Sequence, residues 1–477
     1  MKTYNDFLKI KDNPDRLKAF ILDAISEHKA TEDYQTAEDA KLYMKTKNPT
    51  IMRYKKLLYT ITGEVIPDNY SADHKCAASF FKRFVTQENQ HLLGNGVAFS
   101  DDATKKKLGA DFDYKMQDAG RIALVQKMAF AFVDLDRIKI FEYVEFVPLW
   151  DENNGALTAG IRFWQVDSGK PLRATLFETD GFTEFVKPVG EGQKNELQVM
   201  QEKRPYKLHF KTSKVDGTEI YKGENYPTFP IIPLWGNPEH QSELNTIRSQ
   251  IDAYDLIKSG FANDLDDASM IYWILKNAGG MDDDEELAKF LDRVRTTRIA
   301  SIGDGIGDGA SAEPHTIEVP YQSRETYLTR LEKDMYKDFM AADVEQIAAG
   351  NVTATQIEAA YNPLTAKCDD FERCVGDFIK GILNVLGIDD HPTFTRSMIS
   401  NKSEEIDIVL KAADYTSEAY TTKKLLTILG DIDQLEEVLA QRADESMSRL
   451  SETSEEDEEN EGNEESGENA DDLDSKE

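Results

Sequence analysis

Aspartates are the side chains in this sequence whose spacing could support chemistry. Asp134 and Asp136 lie two residues apart, and Asp264, Asp266 and Asp267 lie within one helical turn. Carboxylate oxygens bind Mg²⁺ and Ca²⁺, so each group offers potential metal ligands. No histidine or further carboxylate completes a ligand set at suitable spacing, and solvated helix faces are the favoured interpretation. We therefore expect no metal ion and no cofactor.

Nucleophilic catalysis and nucleotide binding have no support in the sequence either. The seven histidines are scattered, and Cys368 and Cys374 fall on different faces of one predicted helix, with Cys368 expected in the core. Gly169-Lys170 precedes a proline and lacks the spacing of a phosphate-binding loop. The glycine-rich stretch Gly303–Gly309 lacks the terminal Glu of a calcium loop, and a mobile loop is favoured over a ligand site. The sequence predicts a protein that is not an enzyme.

The net negative charge of the chain excludes some classes of binding partner. The 477 residues contain 56 Lys and Arg against 89 Asp and Glu, a net charge of −33, which excludes a basic nucleic-acid clamp. The longest apolar run, Met128–Val133, is too short to span a bilayer, and we expect no membrane contact. No apolar segment follows the N-terminus, so no secretory signal is expected, and three cysteines fit a reducing cytoplasm.

Acidity is concentrated at the C-terminus. Residues 451–477 contain 14 Asp and Glu, one Lys and a single large apolar residue, Leu473. Such a segment cannot bury enough apolar surface to offset its chain entropy, and we expect it to be disordered. A solubilising tail is the favoured interpretation, and an electrostatic repeller of nucleic acid is the alternative that stays open.

Periodicity predicts helices first and then a sheet. Helical spacing covers Asp12–Ala30, Lys75–Gln90 and Lys105–Phe132, and Gly94 and Gly96 suit left-handed backbone. Residues 137–223 then alternate with a period of two, beginning with Arg137–Val147, and tight-turn sequences recur between the alternating runs. These turn sequences are Asn154-Gly155, Asp167–Gly169, Asp180-Gly181 and Asp216-Gly217. They predict an antiparallel meander.

A proline-rich crossing leads to three long helices. We expect the first to begin at Asn237-Pro238-Glu239, the second at Ser323 and the third after Pro363. Strands are predicted at Met270–Leu275, Arg298–Ile302 and His315–Val319. Shorter helices are predicted at Glu404–Ala412, Glu418–Leu429 and Gln434–Leu450. Asp433 and Glu436 would cap the last of these helices. The first and third long helices carry apolar seams with near-heptad spacing, which fit packing either between copies or within one subunit.

The order of these elements resembles the portal proteins of tailed double-stranded DNA bacteriophages of the long, non-contractile-tail (siphovirus) type. The resemblance runs from about Leu57 to Arg449. The stretches that carry it are Phe229–Leu244, Ile251–Ser259, Ala262–Asp264, Asn351–Leu364, Phe394–Arg396 and Tyr415–Glu418.

The resemblance implies an α+β class and a mostly helical portal fold. It would have a wing with an antiparallel β meander, long stem helices, a small α/β clip, a helical crown and a disordered acidic C-terminal tail. The implied divisions are wing 1–237, stem helix 238–268, clip 269–322, stem helix 323–342, tunnel loop 343–355, long helix and return to the wing 356–400, crown 401–450 and tail 451–477.

The resemblance also implies a function and partners. A ring, commonly of twelve copies, would lie at one capsid vertex of the virion after assembly in the host cytoplasm. It would nucleate the procapsid, conduct double-stranded DNA during packaging and ejection, and contact the terminase large subunit, the major capsid and scaffolding proteins and the head–tail connector. The alternative function is an acidic scaffolding or DNA-mimic binding protein that acts as a monomer or dimer.

Site residues follow from the resemblance. Gln346, Gly350, Asn351 and Thr353 would line the DNA channel in a tunnel loop that has no Lys or Arg, so DNA contacts there would be steric and polar. Asp304, Ile306 and Asp308 in the clip would face the terminase or the connector.

Overall fold

A computed structural model describes most of the chain. The described residues are 2–59, 65–68, 71–135, 137–190, 196–213, 219–267, 272–276, 311–315, 321–343, 354–398, 402–431 and 434–443. The chain divides into two compact units, Met1–Asp343 with Tyr361–Ser397, and Val344–Ala360 with Met398–Glu477.

Short capped helices open the first unit: α1 (Tyr4–Leu8), α2 (Pro14–Ala30), α3 (Glu32–Met44) and α4 (Pro49–Arg53). Each helix is capped at its N-terminus by a side chain that accepts a hydrogen bond from a backbone N–H of the first turn. The capping residues are Thr3, Asn13, Thr31 and Asn48, in chain order. The predicted first helix is therefore confirmed, with its start moved to Pro14 because Asn13 is its cap. Its buried face contains Phe20, Ile21, Ala24, Ile25 and His28.

The next segment alternates short strands with helices. Strand β1 (Leu57–Tyr59) pairs with β2 (Val65–Pro67), and helix α5 (Phe80–Leu93), strand β3 (Val97–Ala98) and helices α6 (Asp102–Leu108) and α7 (Phe112–Gln126) follow. Helix α5 begins at Phe80 rather than Lys75. The backbone N–H groups of Cys76 and Ala78, which precede it, donate hydrogen bonds to the side chains of Ser259 and Asp255 instead. Gly96 has the predicted positive φ of 76°, whereas Gly94 is right-handed.

The helix predicted over Lys105–Phe132 is wrong in both its continuity and its end. Positive φ angles at Gly109 and Lys127 separate α6, α7 and strand β4 (Met128–Asp134). Strand β4 lies between β13 (Ile231–Trp235) and β5 (Arg137–Glu142), and all three pair antiparallel. The apolar run of β4 is buried on both faces, which explains why it shows no strand alternation.

The predicted meander is confirmed as a five-stranded antiparallel sheet. Its strands in order are β6 (Phe146–Trp150), β7 (Leu157–Trp164), β8 (Leu172–Glu178), β9 (Gly181–Lys187) and β10 (Gln198–Arg204), and the hairpin β11 (Lys207–Ser213) with β12 (Glu219–Glu224) follows. The strand predicted over Arg137–Val147 is wrong, because a 3₁₀ turn at Tyr143–Glu145 sends β5 and β6 to different sheets. Strand β10 was not predicted, since most of its residues are exposed and do not alternate.

Two long antiparallel helices follow. Helix α8 (Leu244–Asp267) leads to strand β14 (Tyr272–Lys276), which pairs with β15 (Ser311–His315), and α9 (Tyr321–Phe339) continues the chain. The predicted start of α8 at Asn237 is wrong, because Asn237 Oδ1 closes a turn with Gln241 N–H and Ser242 Oγ caps the helix at Leu244. The strand predicted from His315 begins at Ser311 instead, and Ser323 lies inside α9.

Helix α10 (Ala354–Leu386) passes through Pro363 instead of beginning after it. An interior proline costs a helix about 3 kcal/mol, and burial of Tyr361, Leu364 and Cys368 outweighs that cost. The predicted buried face of this helix is confirmed, with Cys368 buried and Cys374 partly exposed. Strand β16 (Thr393–Phe394) then pairs with β3.

The second unit contains short helices. They are α11 (Lys402–Ala412), α12 (Glu418–Leu429) and a helical stretch at 435–443. The first two confirm the predicted pair. The described helices include none that is both long enough and apolar enough to cross a membrane.

Two hydrophobic clusters position these elements. A large cluster joins α3, α5, α7, the β4 sheet, the start of α8, the end of α9 and α10. A smaller one lies between α1, α2 and the meander. The base of the α8–α9 pair is therefore part of the largest core.

Candidate functional site

Helices α8 and α9 form an antiparallel pair, which we call the stem. Near its base Gln250 Nε2 donates to Asp338, and at the other end Arg324 pairs with Asp264. Asp264, one of the aspartates considered above as a metal ligand, is thus part of an ion pair. No group of metal-ligating side chains occurs among the described residues.

The apolar seam of α8 has two parts. Leu244, Ile247 and Ile251 are fully buried in the large cluster, and Tyr254 packs edge-on against Phe80 at a centroid distance of 5.0 Å. Farther along the helix, Leu265 is 55% exposed. The first part therefore packs within the subunit, and packing between copies stays a prediction for the second part only.

A row of polar side chains on α8 binds an extended segment. Asp255 Oδ1, Ser259 Oγ and Asn263 Oδ1 accept the backbone N–H groups of Ala78, Cys76 and His74 at 2.8, 2.9 and 2.6 Å. We call this row the ladder. Four residues of helix rise about 6.0 Å and two residues of extended chain span about 6.6 Å, so the two spacings match.

The inner end of the ladder is buried and charged. Asp255 also accepts Asn48 Nδ2 at 2.9 Å, and Asn48 donates to Asp252 at the same distance. Burial raises the pKa of the Asp255 carboxyl to about 6, although the N–H groups of Asn48 and Ala78 act in the opposite direction. At the outer end Asn263 is also buried, but His74, whose ring lies 3.3 Å from Asp266, is exposed.

Three charged side chains meet where the stem joins the core. Lys367 Nζ of α10 lies 3.0 Å from Glu88 Oε2 of α5 and 2.6 Å from Glu243 Oε2, just before α8. The same ammonium lies 3.4 Å from the ring centroid of Phe339 at the end of α9. We call this group the hub, and it ties four elements together.

The hub has one cation for two buried carboxylates. Burial, followed by the charge of Glu243, raises the pKa of Glu88 from its ordinary 4.5 to about 8. Burial alone would lower the pKa of Lys367, but Glu88 and Glu243 outweigh it and the pKa is raised. The arrangement therefore favours a charged Lys367 and a proton on Glu88.

A clamp beside the hub fixes the chain after α9. Gln87 Nε2 donates to the Ala342 carbonyl at 2.8 Å, and Gln87 Oε1 accepts the Ala342 N–H at 3.1 Å. The backbone is thus held directly before residue 343, where the predicted tunnel loop begins.

Comparison with known proteins identifies the family. The phage portal protein family described as SPP1 Gp6-like matches residues 23–448. The chain belongs to this portal family. A portal protein of Clostridium phage phiCD119 is 31% identical over 220 residues, or 44% of this chain and 47% of that protein. The portal protein of Bacillus phage SPP1 is 23% identical over 392 residues, or 76% and 74%.

This chain thus aligns with about half the length of the Clostridium relative and with more of the SPP1 protein. Among solved structures, a chain in the neck of a native GTA particle, computed with C12 symmetry, is 11% identical with a TM-score of 0.42. That match covers 72% of this chain and 89% of the other. The portal family is one of structural proteins rather than enzymes.

The site residues predicted for a portal lie outside the described residues. These are Gln346, Gly350, Asn351 and Thr353 of the tunnel loop and Asp304, Ile306 and Asp308 of the clip. Asp136, the strand predicted at Arg298–Ile302, the loop Gly303–Gly309, the cap at Asp433 and the tail 451–477 also lie outside them.

Sequence reasoning missed the residues that anchor the stem. Asp255, Ser259 and Asn263 recur every four residues, a spacing that could have indicated a polar row on one helix face. Lys367 directly precedes buried Cys368, but nothing in the sequence pairs it with Glu88 or Glu243. Burial raises the pKa of the Cys368 thiol to about 12, so this cysteine is a core residue and not a nucleophile.

Proposed function

We propose that twelve copies of this chain form a ring at one vertex of a phage capsid. The ring nucleates procapsid assembly, conducts double-stranded DNA during terminase-driven packaging and during ejection, and docks the head–tail connector. The observation that carries the proposal is the portal family match over residues 23–448. Its setting is the virion, after assembly in the host cytoplasm.

The charge of the chain supports a conducting role. Each copy carries −33, so a ring surface repels phosphate and a duplex slides along it instead of being held. We propose that Gln346, Gly350, Asn351 and Thr353 contact the duplex by polar and steric means. A cation at Asn351, in the variant Asn351→Lys, would be repeated in every copy and should slow DNA passage in a packaging assay, while Asn351→Gln should leave it unchanged.

The clip residues are proposed to contact the packaging motor and the connector. Ile306 is apolar between Asp304 and Asp308 and would supply the buried part of such a contact. Ile306→Asp should weaken co-sedimentation of the ring with the connector or the terminase large subunit, and Ile306→Val should preserve it.

Electron microscopy of the purified full-length chain tests the proposal. Annular particles with a central hole are expected, and class averages would count their subunits. Mass photometry separates this outcome from the alternative function. A monomer or dimer at all concentrations, which competes with DNA for basic proteins, would replace the portal proposal with a scaffolding or DNA-mimic role.

A further inference from the structure

Helix α4 and its flanks form a basic segment in this otherwise acidic chain, and we call the exposed part of this segment the basic surface. Residues 40–59 contain six Lys and Arg and no Asp or Glu, whereas the whole chain carries −33. The six are Lys41, Lys45, Lys47, Arg53, Lys55 and Lys56. Such a local excess of positive charge favours contact with an acidic partner.

Three of these cations are exposed and form no ion pair within the described part of the chain. They are Lys45, Lys47 and Lys55. Arg53 approaches Asp39 only to 3.9 Å, while the same carboxylate pairs with Arg248 at 2.6 Å. The surface therefore keeps most of its charge available to a partner.

An apolar pocket lies against helix α4, and its lining includes chain positions between Lys47 and Lys55. Its volume is about 150 Å³, and it is lined by Thr50, Ile51, Tyr54, Asp252, Ala253 and Leu256. Tyr54 and Leu256 are 52% and 45% exposed, which leaves apolar area for a ligand to cover. The one carboxylate in the lining, Asp252, already accepts hydrogen bonds from Tyr43, Asn48 and Thr50.

We propose that this surface binds an acidic peptide segment whose single aliphatic side chain enters the pocket between Ile51, Tyr54 and Leu256. Lys47 precedes α4 and Lys55 follows it, so carboxylates on both sides of the aliphatic residue meet a cation. The proposal goes beyond the portal function, which assigns no such partner.

A peptide fits these features better than a nucleic acid does. A DNA backbone has no aliphatic group for the pocket, and the charge of −33 opposes its approach. A short acidic peptide carries few charges and gains from the apolar pocket as well as from the cations. The pocket therefore favours a peptide as the occupant.

The test uses the full-length chain and a free peptide with the sequence of residues 468–477. This peptide has the required chemistry, because Leu473 is flanked by Asp471, Asp472 and Asp474. Fluorescence anisotropy measures its binding. We expect Lys47→Gln/Lys55→Gln to weaken the affinity at least tenfold, and the control Lys82→Gln/Lys170→Gln, at exposed lysines elsewhere, to leave it unchanged.

The aliphatic anchor is tested separately. A peptide with Leu473→Ser should bind about tenfold more weakly, since it loses the burial of one side chain. Leu256→Ser in the protein should have a similar effect on the original peptide and little effect on the serine peptide. Equal binding of the two peptides to the unmodified chain would overturn the proposal.

Lysine acetylation, read by mass spectrometry, supplies a second measurement. Protection of Lys45, Lys47 and Lys55 by added peptide supports the proposal. A second supporting result is that these lysines are protected without added peptide and become reactive in 1 M NaCl. Salt screens ionic contacts, so this result would mean that an acidic segment already covers them. Three results would overturn the proposal. The lysines could stay unprotected at every salt concentration, they could stay protected in high salt as in a contact between copies, or a DNA duplex could protect them as well as the peptide does.

Discussion

The hub and the ladder both attach helix α8 to the core, but with different chemistry. In the hub, the ammonium of Lys367 lies between the buried carboxylates of Glu88 and Glu243. In the ladder, three side chains of α8 accept neutral backbone N–H groups at 2.6–2.9 Å. The hub lies at the base of the stem, and the ladder follows the helix away from it.

This difference predicts different sensitivities. A buried ionic group is strongly destabilised when one member is removed, because the remaining charges are left without a partner. A hydrogen bond to a backbone N–H contributes about 1 kcal/mol when buried and less where water can replace the lost acceptor. The hub should therefore dominate the stability of the stem base and its response to pH, while the ladder should act locally.

Removal of the hub cation should have the largest effect. Lys367→Met leaves two buried carboxylates facing each other, and we expect a loss of about 3–5 kcal/mol in the free energy of unfolding. Urea denaturation at fixed protein concentration measures this loss. Lys380→Met removes an exposed lysine from the same helix and should change stability by less than about 0.5 kcal/mol. Equal stability of the two variants would show that the hub contributes no net ionic stabilisation.

Neutralising one hub carboxylate should change the pH dependence. Folding raises the pKa of Glu88 from 4.5 to about 8, so the folded chain keeps a proton that the unfolded chain releases. The associated stability is complete below pH 4.5 and is lost as pH rises through 8. Glu88→Gln should abolish this loss, so its stability relative to the unmodified chain should increase as the pH rises from 5 to 8.5.

Thermal unfolding between pH 5 and 8.5 measures the difference between Glu88→Gln and the unmodified chain. Glu325→Gln, at an exposed position of α9, is the matched control and should follow the unmodified chain at every pH. A difference that stays constant with pH would mean that Glu88 does not hold the proton.

The sequence predicted those parts of the fold in which local signals and packing agree. The Asn-Gly and Asp-Gly turns located the meander, and the spacing of Phe371, Val375 and Phe378 located the buried face of α10. The predictions that were wrong involved tertiary context. Both faces of β4 are buried, so its apolar run shows no strand alternation and its sequence resembles that of a buried helix. Pro363 is tolerated within α10 because Tyr361 and Leu364 on either side are buried.

The candidate site was harder to predict, because its partners are distant in sequence. Gln87 meets Ala342 across 255 residues, and Lys367 meets Glu243 across 124. Charge and length could not reveal these contacts, because an exposed glutamate and a buried one look alike in sequence. The resemblance predicts a tunnel loop from residue 343, but it did not indicate the contact of Gln87 with Ala342 just before that residue.

Within the ladder, loss of the middle acceptor should have a moderate effect. Ser259→Ala removes the acceptor of the Cys76 N–H, which is partly buried, and should cost about 1 kcal/mol. Amide hydrogen exchange should become faster around Cys76 while exchange at the hub is unchanged. Ser249→Ala, at an exposed position of the same helix, is the control and should alter neither quantity. Faster exchange at both places would mean that ladder and hub open together.

The outermost acceptor should contribute least. Asn263→Ala removes the acceptor of the His74 N–H. Asn263 is only 4% exposed and Ser259 is similarly buried, but His74 is exposed whereas Cys76 is partly buried, so water reaches the N–H of His74 more easily. We expect a loss of only about 0.3 kcal/mol, with faster hydrogen exchange confined to the amide of His74. A loss equal to that of Ser259→Ala would contradict the proposed gradient, because it would show that the outer rungs are as shielded from water as the inner ones.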